Sequence, residues 1–336
     1  MSEPSRWALG YFSREGESFT GLIVHDEIRD LRADAASLGG LDLAAPSGTR
    51  HLLEQWGSAF DVLDRLATDR ANGSWHPADS VRTHAPLEPR QIIQAGANYR
   101  THVVDLAVAH TELSNGRTLE QVRADAERTM DERKATGTPY LFIGLPSAIT
   151  GPYDEVTLPA YSQKHDWELE LAAVIGSSAF RVGPDEALDH VAAYVIVNDL
   201  TTRDAVFRRD MPEIGADWFR SKNAPGFLPL GPWLVPAAFV GDPQALELEL
   251  RLNGEVKQDA VATDMLFSVA ELVSAASQTT VLAPGDLILT GSPAGNGAHW
   301  GRLLRHGDRM DSTITGLGHQ STLVSYEAAS GAEGTA

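Results

Sequence analysis

Hydrophobic positions along this chain follow two periods, and the change from one to the other divides it. Leu52, Leu53, Trp56, Phe60, Leu63 and Leu66 recur at helical spacing between Arg50 and Asp69, which predicts an amphipathic helix with one face turned inward. Ahead of it, 7–13 (WALGYFS), 19–24 (FTGLIV) and 27–31 (EIRDL) are short apolar runs separated by turn residues, the pattern of strands. Residues 1–75 therefore read as a small α+β module. The polar stretch 76–90, with its Pro and His residues, reads as a linker.

From Gln91 onward strands dominate. The runs 92–96, 139–144, 169–176, 192–199, 246–254, 285–291 and 321–327 are apolar or alternating and bounded by Gly, Pro, Asn or Asp. Asn253-Gly254, following the alternation LELELRL, signals a type I′ hairpin. Helical spacing is confined to 103–110, 118–135 and 268–278. In the second of these, Leu119, Val122, Ala126 and Met130 form one stripe. Residues 91–326 thus predict a β-rich α+β domain rather than a doubly wound sheet, and the small, polar residues 327–336 a disordered tail.

Composition narrows the chemistry. The 336 residues are 43% hydrophobic and 22% charged, as in an ordinary globular enzyme. Cysteine is absent, which excludes disulfides, thiolate nucleophiles and Cys-ligated metals. A formal charge of −19 disfavours nucleic acid and anionic membrane as partners, and an anionic substrate would need a local positive site. No apolar run approaches the ~20 residues of a membrane span, and MSEPSRWALG lacks a signal-peptide pattern. The expected location is the cytoplasm.

One acidic cluster stands out. On a strand, Asp166, Glu168 and Glu170 share one face, their carboxylates about 7 Å apart. Asp199 arrives at the end of another buried run, AAYVIVND. Glu168, Glu170 and Asp199 would suit a hard cation, Mg²⁺, Mn²⁺ or Ca²⁺, with positions left for water and substrate. Spacing alone fits better a solvated strand face beside an Asp that ends a strand. His102 and Asp105, three apart, would share a helix face.

Motif order adds to this. Residues 165–176 (HDWELELAAVIG) resemble the Asp-Tyr-Glu-x-Glu-Leu-Ala-x-Val-Ile-Gly signature of the fumarylacetoacetate hydrolase superfamily, and 198–204 (NDLTTRD) its Asn-Asp-(Val/Leu)-Ser-Ala-Arg-Asp. Residues 229–233 (PLGPW), 252–255 (LNGE) and 282–293 (LAPGDLILTGSP) continue in the family's order. The resemblance implies a mixed β-sandwich or roll catalytic domain, a homodimer, a role in aromatic catabolism, and a metal held by Glu168, Glu170 and Asp199. Residues 96–105 (GANYRTHVVD) resemble the family's Gly-x-Asn-Tyr-x-x-His-x-x-Glu element, which opens a lid, here about 98–138. It implies His102 as general base with Asp105 as its acidic partner. It also implies Lys222 as a catalytic cation, with Arg203, Thr290 and Ser292 as substrate-binding residues. Left open are a solvated loop position for Lys222 and a structural ion pair for Arg203, with Asp204 or a ligand carboxylate.

Departures mark where this chain differs. Val206 stands where hydrolytic members often carry Gln, Asp105 replaces Glu, and Phe142–Pro146 lacks the family's lysine. The leading expectation is metal-dependent hydrolysis of a C–C bond in an acylpyruvate-like 1,3-dicarbonyl 2-oxo acid. A 2-oxo acid decarboxylase, tautomerase or hydratase is the alternative, and a non-catalytic binding protein of the same fold the third.

Overall fold

The computed structural model describes residues 6–109 and 118–328. The expected tail falls mostly outside these residues, as does the His110 end of the 103–110 helix.

The first sheet runs Ser74–Pro77, Glu27–Asp30, Glu17–Val24, Ala8–Arg14, Arg82–His84, antiparallel throughout. Glu15 (φ 53°) and Gly16 (φ 86°) both take positive φ, the type I′ geometry that suits strand twist. One outer strand, Arg82–His84, comes from the stretch read as linker, and the other, Ser74–Pro77, runs across its start: Thr83 pairs with Phe12, and His76 with Ile28. Polarity there reflects edge position rather than a tether, since edge strands need bury only part of their surface.

The expected helix over 50–69 is two helices, Gly48–Glu54 and Trp56–Thr68. Gln55 leaves helical geometry (φ −125°, ψ 34°), and its amide donates to the Leu38 carbonyl at 3.1 Å. The apolar spacing survives the break because both halves face the same core. Leu52, Leu53 and Leu63 are buried, and Trp56 and Phe60 pack on Trp7.

The central sheet has the order Val235–Pro236, Val191–Asn198, Leu169–Ile175, Leu287–Leu289, Ile92–Gly96, Tyr140–Gly144. Leu287–Leu289 and Ile92–Gly96 pair in parallel, the other neighbours antiparallel. Both faces are covered, which is why its strands read as continuous apolar runs. Ala172, Val174, Val195 and Val197 join Leu9, Leu22, Leu52 and Leu53 in one core cluster. Leu169, Leu171, Ala173 and Ile196 face the other way, toward Leu248, Leu250, Met310 and the helix Val269–Thr279.

A third sheet, Glu255–Val261, Glu247–Leu252, Arg309–Ile314, Gly318–Tyr326, Val156–Leu158, completes an α+β fold of packed sheets. Asn253 (φ 53°) and Gly254 (φ 85°) form its predicted hairpin turn.

Two helices cover the mouth of the central sheet. Arg100–Ala109 carries His102, and Leu119–Thr136 begins at a Thr118–Gln121 capping box. Of the predicted stripe, Val122 and Met130 are buried, Ala126 packs at the core's margin and Leu119 is exposed.

Candidate metal centre and catalytic cavity

Side-chain alternation places the acidic cluster. Glu170 lies two residues before Ala172 on the same strand face, and Asp199 two beyond Val197, both neighbours belonging to the core shared with the amino-terminal module. Register confirms the shared face, since Glu170 pairs with Val197, and the Asp199 amide donates to the Glu168 carbonyl at 2.9 Å. One carboxylate oxygen from each of Glu168, Glu170 and Asp199 lies within 4.8 Å of the other two. The three residues are 9%, 2% and 1% exposed, so they do not form a solvated strand face.

Asp166 does not join them. It belongs to the two-residue strand His165–Asp166, and its oxygens accept the amides of Trp167, Gly297 and Ala298 at 2.8, 2.5 and 3.0 Å.

Two cations thread the cluster. Lys222, last residue of the helix Trp218–Lys222, donates to Glu168 Oε2 and Asp199 Oδ2 at 2.6 Å each. Its side chain is buried, so it is no solvated loop lysine. Arg203 Nε donates to Asp166 Oδ2 at 2.6 Å, whereas its Nη2 lies 2.6 Å from Glu168 Oε1 without hydrogen-bond alignment. Its partners are Asp166 and a cluster carboxylate. Asp204 instead accepts from the Ser162 hydroxyl at 2.7 Å.

Charge balance explains the titration of these groups. Burial raises the Glu168 carboxyl, but Arg203 and Lys222 outweigh it and hold it well below the usual carboxylate range. Burial, then Asp199, lifts Glu170 well above that range. Burial lifts Asp199 to about 6 against the pull of Lys222. Four buried carboxylates thus face two cations. A divalent cation would offset that surplus, and three carboxylates make the all-oxygen donor set a hard cation prefers. The residues fit the group.

His102 lines the same cavity, of about 580 Å³. Burial pushes its imidazole down to about 4, with Glu168 opposing and Arg203 and His299 adding. It is therefore a neutral proton acceptor at pH 7. The expected pairing with Asp105 is replaced: Asp105 Oδ1 accepts from Arg123 of the second mouth helix at 3.1 Å. An Asp arm one methylene shorter than Glu is met by the guanidinium of the extended lid. Thr290 also departs from expectation. Its hydroxyl donates to the Leu171 carbonyl at 2.9 Å, and it is absent from the cavity wall, which Ser292 does reach. Ser292 Oγ accepts from Gln258 at 2.8 Å.

A family model described as fumarylacetoacetate (FAA) hydrolase C-terminal matches residues 91–325. The chain belongs to this family. A 2,4-didehydro-3-deoxy-L-rhamnonate hydrolase of a Sphingomonas species is 42% identical to this family member over 192 residues, 56% of the chain and 65% of that protein. The oxaloacetate tautomerase YisK of Bacillus subtilis is 32% identical over 319 residues, 91% of the chain and 96% of that protein. Among solved structures, a probable 2-hydroxyhepta-2,4-diene-1,7-dioate isomerase of Mycobacterium abscessus superposes with a TM-score of 0.71 at 29% identity. That superposition covers 96% of this chain and all of that one. The protein is an enzyme of the fumarylacetoacetate hydrolase superfamily. Among its described residues, no helix is long and apolar enough to cross a membrane.

Several groups that hold the carboxylates or wall the cavity of this family member carried no assignment in the sequence. Gln94 Nε2 donates to Asp199 Oδ1 at 2.7 Å, and the Gly291 amide donates to Glu170 Oε2 at 2.7 Å. A polar residue inside the apolar run IIQAG was a visible signal for Gln94. Tyr140, Phe142 and Trp218 wall the outer end. Trp218 lies in no apolar run and carried no signal.

Proposed function

We propose that this enzyme interconverts the keto and enol forms of a small 2-oxo acid, dependent on a divalent cation, Mg²⁺ or Mn²⁺, held by Glu168, Glu170 and Asp199. The observation that carries the reading is a neutral His102 in the same buried cavity as the carboxylate trio, with Asp105 engaged by Arg123. A base that relays a substrate proton needs only to be neutral and near. A base that generates hydroxide from water is normally oriented and stabilised by an acid, and the acid is here paired with Arg123.

The bound cation would polarise the 2-oxo group and acidify the neighbouring C3–H bond. His102 would accept the C3 proton at one imidazole nitrogen, and the imidazolium so formed would give a proton to the 2-oxo oxygen, directly or through water, so the base returns to its neutral form and the composition is unchanged. Arg203, whose Nη2 lies against Glu168 without an aligned hydrogen bond, would turn that group to the substrate carboxylate once the cation takes up Glu168, the positive element that an acidic protein requires. Lys222 holds Glu168 and Asp199 and supplies positive charge beside the oxygen that becomes negative. The full-length likeness to a tautomerase supports this reading, as does Val206, whose side chain offers no donor to an oxyanion.

The test is C3 proton exchange into D₂O, followed by NMR with oxaloacetate or phenylpyruvate. Enzyme with Mg²⁺ or Mn²⁺ should accelerate it, and chelator or Glu168→Gln should remove the acceleration. Exchange no faster than in buffer would sink the proposal.

C–C hydrolysis of an acylpyruvate is the second reading, favoured by the 42% identical hydrolase and by a cavity roomy enough for an acyl chain and water. Release of pyruvate together with a second carboxylic acid would establish it instead.

A further inference from the structure

The two ends of the cavity differ in kind. The inner end holds the carboxylates, Lys222, Arg203 and His102, while the outer end is walled by Tyr140, Phe142, Trp218, Val103, Val206 and Phe207. Phe142 and Trp218 stack, with ring centroids 4.8 Å apart and planes at 20°. Trp218 Nε1–H donates to the Tyr140 hydroxyl at 2.6 Å, which fixes the indole's orientation. The same short helix, Trp218–Lys222, carries Lys222 to the inner end and Trp218 to the outer. One helical turn, about 6 Å, separates them along the axis.

Charge is equally divided. Among the described residues lining the cavity, the cations are Arg203 and Lys222, and both already face carboxylates at the inner end. A carboxylate on the substrate's far end would leave water for aromatic and branched apolar walls with no cation opposite it among the described lining residues, inside a chain of formal charge −19. A flat, uncharged ring would extend the Phe142–Trp218 stack. The volume, about 580 Å³, also exceeds what a four-carbon acid fills.

We infer that the substrate is a 2-oxo acid whose far end is an uncharged planar group, an aryl or conjugated apolar substituent, received by the Phe142–Trp218 stack. The inference rests on the 2-oxo acid reading of the inner end. Two aromatic contacts of ordinary strength amount to about tenfold in affinity.

Calorimetric titration of the Mn²⁺-loaded enzyme with phenylpyruvate, oxaloacetate and pyruvate tests it without requiring turnover. Phenylpyruvate should bind about tenfold or more tightly than oxaloacetate. Trp218→Leu and Phe142→Leu should each weaken phenylpyruvate several-fold more than pyruvate, and retained pyruvate binding shows that the variants fold. Oxaloacetate binding as tightly as phenylpyruvate, or variants that weaken phenylpyruvate and pyruvate equally, overturn the inference and leave the inner-end reading standing. Binding of none of the three overturns both.

Discussion

The Lys222 ammonium touches Asp199 twice, at the carboxylate Oδ2 (2.6 Å) and at the backbone carbonyl (3.0 Å). With a third contact to Glu168 Oε2, it satisfies all three of its donors inside the acidic cluster. Burial lowers a lysine, yet Asp199, Glu168 and Glu170 together raise this one, so it stays charged. Lys222→Met would strand two carboxylates in a dry site. Loss of one partner from such a buried pair costs about 3–5 kcal/mol. Urea unfolding of the metal-free variant should show a loss of that order, and saturating Mg²⁺ should recover part of it by opposing the same carboxylates. Equal losses with and without Mg²⁺ would separate the lysine from the cation site.

Protons and a cation compete for the same oxygens. Asp199 is raised to about 6 and Glu170 well above its usual value, so the metal-free fold holds protons there that the unfolded chain has released. Their contribution to metal-free stability is full below the unfolded values near 4 and is lost as pH rises through about 6 and beyond. Cation binding requires them ionised, and affinity should fall by about tenfold per unit below pH 6 for the Asp199 proton alone. The gain in Tm on adding Mn²⁺ should therefore grow between pH 5 and pH 8. A gain independent of pH would contradict the arrangement.

His102 and Asp105 should separate functionally. His102→Gln removes the proton acceptor, and exchange at C3 should fall about 100-fold or more. Asp105→Asn and Arg123→Ala break only a partly exposed pair between the two mouth helices, worth about 0–1 kcal/mol. Both should keep turnover within about tenfold, with the change in KM. Since burial puts the imidazole near 4, its base form is complete above pH 5. A kcat/KM profile with an acid limb should therefore report the carboxylates. Asp105→Asn as damaging as His102→Gln would restore the water-activating dyad.

Strand alternation is a local property, so the relative placement of the acidic residues was legible, although spacing alone favoured a solvated face and only the family resemblance pointed to a metal. Spacing two apart put Glu168 and Glu170 on one face, and a carboxylate ending a buried run put Asp199 at its rim. The strands of the central sheet were equally plain, since burial on both faces leaves continuous apolar runs. What failed was non-local. The Asp105 partner, Arg123, lies eighteen residues away in an extended helix. Thr290 was assigned by its place in a loop, yet its hydroxyl faces the Leu171 carbonyl. Ser74–Pro77 and Arg82–His84 were hidden by their edge positions, where pairing demands little apolar sequence. Trp218 shows its role only when the chain brings Phe142 against it.

The amino-terminal module should unfold together with the catalytic sheet, and Arg29 offers a way to test this. Its guanidinium is buried, pairs with Asp34 at 2.8 and 2.9 Å, and donates to the carbonyls of Leu66, Asp69 and Asn72 at 3.1, 2.9 and 3.0 Å. These bonds tie the end of the helix Trp56–Thr68 and the loop after it to the first sheet. Arg29→Met removes them all and leaves Asp34 without its partner, a loss of about 3–5 kcal/mol. The helix and sheet share a core with Ala172, Val174 and Val195 of the central sheet. A loss in the module should therefore shift one cooperative urea transition rather than create a second. Mn²⁺ affinity under native conditions should stay unchanged, because no cluster carboxylate contacts Arg29. Two resolved transitions, or a weakened cation site at low urea, would mean that the module and the catalytic sheet do not share their stability in this way.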